Sequence, residues 1–215
     1  MNKSIVVALS QRVDVWADRG ERRDALDQRL CQWLIAAGCV PMPVPNCLVS
    51  PEMDGSDQDS LVLQNWLAVM RPEAVVLSGG NDIGEVPERD LTERRLLSWA
   101  KDRKVPVLGI CRGMQMMAVW AGGALMPVEG HVRTRHLLQL ANGVGGWPKE
   151  VNSFHNFALD ADCPPGFEVT ARAGDGVIEA ICHAKLPWEG WMWHPERETN
   201  SGSADMNRLK ALFHV

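Results

Sequence analysis

The sequence predicts an α/β protein: an open, mostly parallel sheet with flanking helices, and extra antiparallel strands in its second half. Three observations carry that expectation. Short apolar, β-branched runs alternate with longer amphipathic segments as far as residue 123, the pattern of β-α units. Three motifs, "LSGGND" (77–82), "GICRG" (109–113) and "WMWHPERE" (191–198), lie at the ends of extended runs, where open α/β sheets place their sites. Beyond residue 130 the chain turns to short extended pieces cut by Gly, Asp and Pro, which read as hairpins and late strands.

Taken in order, "SIVVAL" (4–9) is a buried strand, short and β-branched. "DALDQRLCQWLIAAG" (24–38) is a helix, with Leu26, Leu30, Trp33, Leu34 and Ala37 on one stripe and Gly38 as its stop. "VPMPV" (40–44) is extended, and its prolines suit a sheet edge. Residues 45–60 read as a surface excursion and 60–70 as a second helix. Strand 73–80, helix 90–102, strand 105–110 and helix 113–123 follow. Extended pieces are expected at 131–140, 149–154, 167–173, 177–182 and 190–194, and "SADMNRLKALFHV" (203–215) closes the chain as a helix.

The 215 residues, 46% of them hydrophobic, suffice for one well-buried core, so a single domain spanning 1–215 is expected. A balance of 22 basic against 27 acidic residues argues against nucleic acid as a partner. The longest apolar runs fall short of a membrane span, and the N-terminus lacks the pattern of a signal peptide. The expected compartment is the cytoplasm. Six cysteines occur without any C-x-x-C pair, so neither disulfides nor a zinc site is predicted, and no metal or cofactor is expected. Five of them read as small buried hydrophobes.

Cys111 is different. Glycines at 109 and 113 flank it where a strand turns into a helix, the form of a nucleophile elbow. The helix start points its dipole and free N–H groups at the sulfur, which favours thiolate, and the Arg112 N–H is placed to donate to an oxyanion. A core thiol between coincidental glycines is the alternative. A thiolate needs a base that later protonates the leaving group. Of six histidines, His194 stands at a strand end, broken by Pro195, with Glu196 two residues on to orient its ring. His131 and His136 flank an arginine-rich stretch, and their sequence context suits either surface or pocket. "SGGND" offers glycine N–H groups to a ligand.

In this order, G-I-C-R-G-M-Q, L-S-G-G-N-D, V-N-S-F-H-N and W-H-P-E resemble the class I glutamine amidotransferase superfamily, over residues 4 to 198. Within it the chain is similar to the stand-alone γ-glutamyl hydrolase branch (peptidase C26-like), most of all to γ-glutamyl-CDP-amidate hydrolases of capsule modification. The resemblance implies a flavodoxin-like amidotransferase fold and a Cys111-His194-Glu196 triad. It implies a γ-glutamyl thioester on Cys111 and oxyanion donors at the Gly80 and Arg112 backbones. It assigns substrate binding to Gly79, Asn81, Gln115, Asn152, Ser153, Phe154 and His155. The implied partner is a small γ-glutamyl compound. The chain carries no synthetase domain to accept ammonia, which favours hydrolysis, although a homodimer or a separate synthase partner is compatible with it. γ-Glutamyl-γ-aminobutyrate is a rival substrate. Arg12, at the end of the first strand, is expected to meet a phosphate-bearing leaving group, since guanidinium offers paired donors. Arg22, Arg23, Arg133 and Arg135 are further candidates.

Overall fold

A computed structural model describes residues 4–50, 57–141, 143, 145–160, 162–198 and 204–215. Its main sheet has eight strands: β1 (Ile5–Leu9), β4 (Cys39–Pro43), β5 (Ala74–Leu77), β6 (Val107–Ile110), β9 (Gln139–Leu140), β12 (Phe167–Arg172), β13 (Ile178–His183) and β14 (Trp188–Trp191). The order is β4-β1-β5-β6-β14-β13-β12-β9. The first five of these run parallel, and β13, β12 and β9 add on antiparallel. The prolines of β4 do lie at a sheet edge.

The central strands are apolar on both faces because helices cover both. Ala74 and Val76 of β5 meet α1 (Gln28–Ala36) and α5 (Ala204–Phe213) on one side. Val75 and Leu77 meet α2 (Asp57–Met70), α3 (Pro87–Arg103) and α4 (Arg112–Trp120) on the other. Met114, Met116 and Met117 of α4 are fully buried here, as packing residues. Among the described residues no helix is long and apolar enough to cross a membrane.

The structure corrects the sequence reading at several points. Residues 24 and 25, assigned to a helix, end a strand. β2 (Arg12–Trp16) and β3 (Glu21–Ala25) form a hairpin, turned at Gly20 with φ +63°, and α1 begins only after Asp27 caps it. The hairpin is charged and largely exposed, so it lacks the apolar alternation that marks a strand. The short pairing of β7 (Leu125–Pro127) with β11 (Phe157–Leu159) was unread, and the extended pieces expected at 131–140 and 149–154 do hold strands, β8 (Val132–Leu137) and β10 (Glu150–Phe154), but these pair as a ribbon separate from the main sheet. Of the excursion at 45–60, residues 51–56 lie outside the described residues; Asn46 is buried and ties Asp24 and Gln11 together. Of the five cysteines expected to be buried only Cys39 is; Cys31, Cys163 and Cys182 are half-buried and Cys47 is exposed, and all six cysteines are free.

Candidate active site

The carboxyl ends of β5, β6 and β14 converge, and each carries one of the motifs. Cys111 follows β6 directly and caps α4 with φ 51° and ψ −108°. A non-glycine residue there is strained, and the surroundings must hold it. They do so from two sides. The Cys111 N–H extends the β6–β14 ladder by donating to Trp191 O at 2.7 Å. Gly113 packs α4 against β5 so closely that an added Cβ would lie 2.1 Å from Leu77 O. Gly109 is equally confined, with the Gly113 backbone 2.7 Å from its missing Cβ. The paired glycines thus let strand and helix approach until the helix N-terminus faces the thiol.

His194 follows the buried Met192 and Trp193. Its ring shares a cleft with Cys111, and its Nδ1 lies 2.7 Å from Glu196 Oε1. Burial alone would lower the imidazole pKa. The interactions with Cys111 and Glu196 outweigh it and push the value up to about 9. Asn152 on β10 fixes the backbone of His194 at two points, donating to its carbonyl at 2.8 Å and accepting from its N–H at 2.9 Å. Gly79 gives the ring room: a Cβ there would sit 2.7 Å from His194 Cε1.

The loop after β5 is held by Arg89, at the start of α3 and fully buried. It donates to Ser78 O at 2.7 Å, to Gly79 O at 3.0 Å and to Asn81 Oδ1 at 3.2 Å. In a trans peptide the carbonyl and the following N–H point opposite ways. Anchoring the Gly79 carbonyl therefore turns the Gly80 N–H away from Arg89. Arg89 also pairs with the buried Glu93, which accepts from Ser10 Oγ at 2.8 Å and pairs with Arg112. The Arg112 side chain points into this network, reaching Asp90 as well, while its backbone starts α4. Burial pulls the pKa values of Arg89 and Arg112 down to about 10 and about 9, so both remain cations at neutral pH. The Arg89 charge attracts a thiolate at Cys111.

Two clefts meet at Gly80, His194 and Arg197. One is lined by Cys111, Gln115, Phe154, His155 and Asp82. The other lies against the β2–β3 hairpin and is lined by Arg12, Asp14, Asp27 and Leu30. Phe154 stands edge-on to His194 and carries the Arg197 guanidinium on its face.

Several residues expected to bind substrate have side chains engaged elsewhere. Asn81 bridges the backbone N–H and carbonyl of Val13 on β2. Ser153 donates to His131 O. His155 turns Nδ1 to Phe157 O, and Gln115 donates its amide to the same carbonyl. These residues brace the site's walls. Arg12 is half-exposed and pairs with Asp14, while Arg22, Arg23 and Arg135 pair with Glu88, Glu21 and Glu150. Arg89 and Glu93 escaped the sequence reading. The one available signal was their i,i+4 spacing, which reads equally well as a solvated ion pair.

Residues 45–213 match the family model described as glutamine amidotransferase class-I. A γ-glutamyl-CDP-amidate hydrolase from Campylobacter jejuni is 35% identical, over 66% of this chain and 70% of that protein. A γ-glutamyl-γ-aminobutyrate hydrolase from Escherichia coli is 26% identical, over 89% of this chain and 85% of that one. The crystal structure of a glutamine amidotransferase from Thermotoga maritima superimposes with a TM-score of 0.61 at 15% identity, covering 98% of this chain and 82% of the other.

Proposed function

The chain belongs to the glutamine amidotransferase class-I family, and on that premise we propose that it is a cysteine hydrolase cleaving γ-glutamyl amides through a thioester on Cys111. One observation carries the reading: Cys111, at a helix N-terminus, shares its cleft with a buried His194 whose Nδ1 is held by Glu196 at 2.7 Å. Cys111 Sγ attacks the γ-carbonyl, and the N–H groups of Gly80 and Arg112 receive the oxyanion. Collapse breaks the C–N bond as His194 gives its proton to the departing nitrogen. Water, deprotonated by His194, then cleaves the thioester and releases glutamate. Glu196 holds the ring and stabilises its cationic form.

His194 must be protonated when the amine leaves, and its pKa is raised from 6.5 to about 9. The raised value favours the folded imidazolium. Its contribution to stability is complete below about pH 6.5 and disappears as pH climbs through about 9. Turnover is expected to fall in the same alkaline range. A kcat/KM profile checks this, and an activity loss centred near 6.5 would rule out the raised imidazole.

The two clefts divide the substrate: the glutamyl group against Cys111, and the leaving group against the hairpin and Arg12. The 35% relative supports a nucleotide-linked conjugate such as γ-glutamyl-CDP-amidate, in capsule polysaccharide modification. Arg12 would exchange Asp14 for a phosphate. Glutamate release from a panel of conjugates and glutamine tests the proposal, with the nucleotide conjugate expected to be the best substrate. Arg12→Ala should raise its KM about tenfold or more, as loss of a charge-assisted contact implies, and leave a small γ-glutamyl amide unchanged. Equal effects on both, or turnover of glutamine only with an added synthase, would overturn the assignment.

A further inference from the structure

Behind the Cys111 cleft lies a second constellation that the reaction does not use. His131, just before β8, and Glu179 on β13 are fully buried, and His155, just after β10, is nearly so. His136 on β8 completes the group. One ligating atom each from His131, His136 and Glu179 falls within 4.8 Å of the others. Among the described residues this is the group of three such side chains with that spacing.

The hydrogen bonding determines which atoms face inward. His131 Nε2 lies 2.8 Å from Asp175 Oδ2, so this nitrogen donates, and in the neutral ring Nδ1 presents a bare lone pair. His155 Nδ1 donates to Phe157 O, leaving the lone pair on Nε2. Those two lone pairs point at Glu179 Oε1 from 3.5 and 3.6 Å. Neither distance is a hydrogen bond. Both Glu179 oxygens, His131 Nδ1, His155 Nε2 and His136 Nε2 are buried without a hydrogen-bond partner. Acceptors facing acceptors repel, and a buried carboxylate with no cation is costly. A central cation resolves both.

We propose that His131 Nδ1, His136 Nε2 and the Glu179 carboxylate bind one divalent transition-metal ion of the zinc type, with a water molecule as its fourth donor. The His131 Nδ1–Glu179 Oε1 separation of 3.5 Å is close to that between donors set tetrahedrally about 2.1 Å from a common ion. Imidazoles with one carboxylate favour such an ion over calcium or magnesium, which take oxygen ligands. Asp175 supplies the outer carboxylate that fixes a metal-bound histidine. The missing C-x-x-C spacing has no bearing on this site, because its ligands come from two separate segments, one at β8 and one on β13. The ion pins the β8–β10 ribbon, and with it Phe154 and the Asn152 clamp, to the main sheet.

Tag-free protein, stripped with a chelator and titrated with Co²⁺, tests this. The expected result is about one equivalent bound per chain, absorption bands of a four-coordinate ion, and a higher melting temperature after Zn²⁺ is added. Glu179→Gln and His136→Gln should abolish stoichiometric binding, and Asp175→Asn should weaken it roughly 10–100-fold. Cys111→Ser should keep the ion, since that thiol is not a ligand. The proposal fails if the parent protein binds no Co²⁺, or if the imidazoles are found sharing protons instead. It fails equally if the ion is lost with Cys111→Ser. Should Glu179→Gln not fold, the parent titration and His136→Gln still decide the matter.

Discussion

Cys111→Ala is expected to slow glutamate release roughly 10⁴- to 10⁶-fold, the range seen when a triad nucleophile is removed. Gly80, Arg112 and His194 would remain in place, so weak substrate binding and some stabilisation of the oxyanion persist. What disappears is the covalent route. The change removes a single sulfur from a residue held by backbone contacts on both sides, so the fold should survive. Two measurements separate chemistry from folding: a quenched glutamate assay, and mass spectrometry of acid-quenched parent enzyme, which should carry a γ-glutamyl adduct that the variant lacks. A variant keeping more than about a tenth of parental turnover would remove Cys111 from the mechanism.

Gly113→Ala is expected to be the most damaging single methyl group. Its Cβ would lie 2.1 Å from Leu77 O and 2.8 Å from Leu77 Cβ. The obstacle is strand backbone, which cannot rotate aside as a side chain can. α4 would have to lift from β5, disturbing Met114, Met116 and Met117 together. Overpacking of this kind costs about 3 kcal/mol or more. For a chain of this size that lowers Tm by roughly 6–12 °C. Gly174→Ala is the matched control, since nothing lies within 4 Å of its Cβ. Thermal melts of the two variants suffice, and equal Tm values would mean that α4 packs less tightly than described.

The candidate site was legible to different depths. Cys111 announced itself through Gly109 and Gly113, because a tight strand-to-helix turn is a local demand on backbone and steric space. His194 announced itself through Pro195 and the apolar run before it. Asn81, Asn152 and Ser153 also sit in recognisable motifs, yet their side chains brace Val13, His194 and His131. A motif locates a residue at the site without saying which way its side chain turns. Arg89 was invisible for a related reason. A charged residue at a helix start is ordinarily solvated, and only the β5 loop passing over α3 encloses this one.

By itself, the sequence determined the alternation of strands and helices, the sheet edge at Pro41 and Pro43, and the elbow around Cys111. Each rests on interactions within a few residues: periodicity, β-branching, fixed proline φ and the space a glycine leaves. Tertiary structure alone decided the β2–β3 hairpin beside the site, the Arg89–Glu93–Arg112 network beneath it, and the facing of His131 and His155 on Glu179. The hairpin is local but charged and exposed, so it carries no apolar alternation to read; Arg112 with Glu93, and the two histidines with Glu179, are roughly twenty to fifty positions apart, and which of them meet depends on strand order and register. Buried polar groups must find partners wherever the folded chain places them, and local sequence does not carry that information.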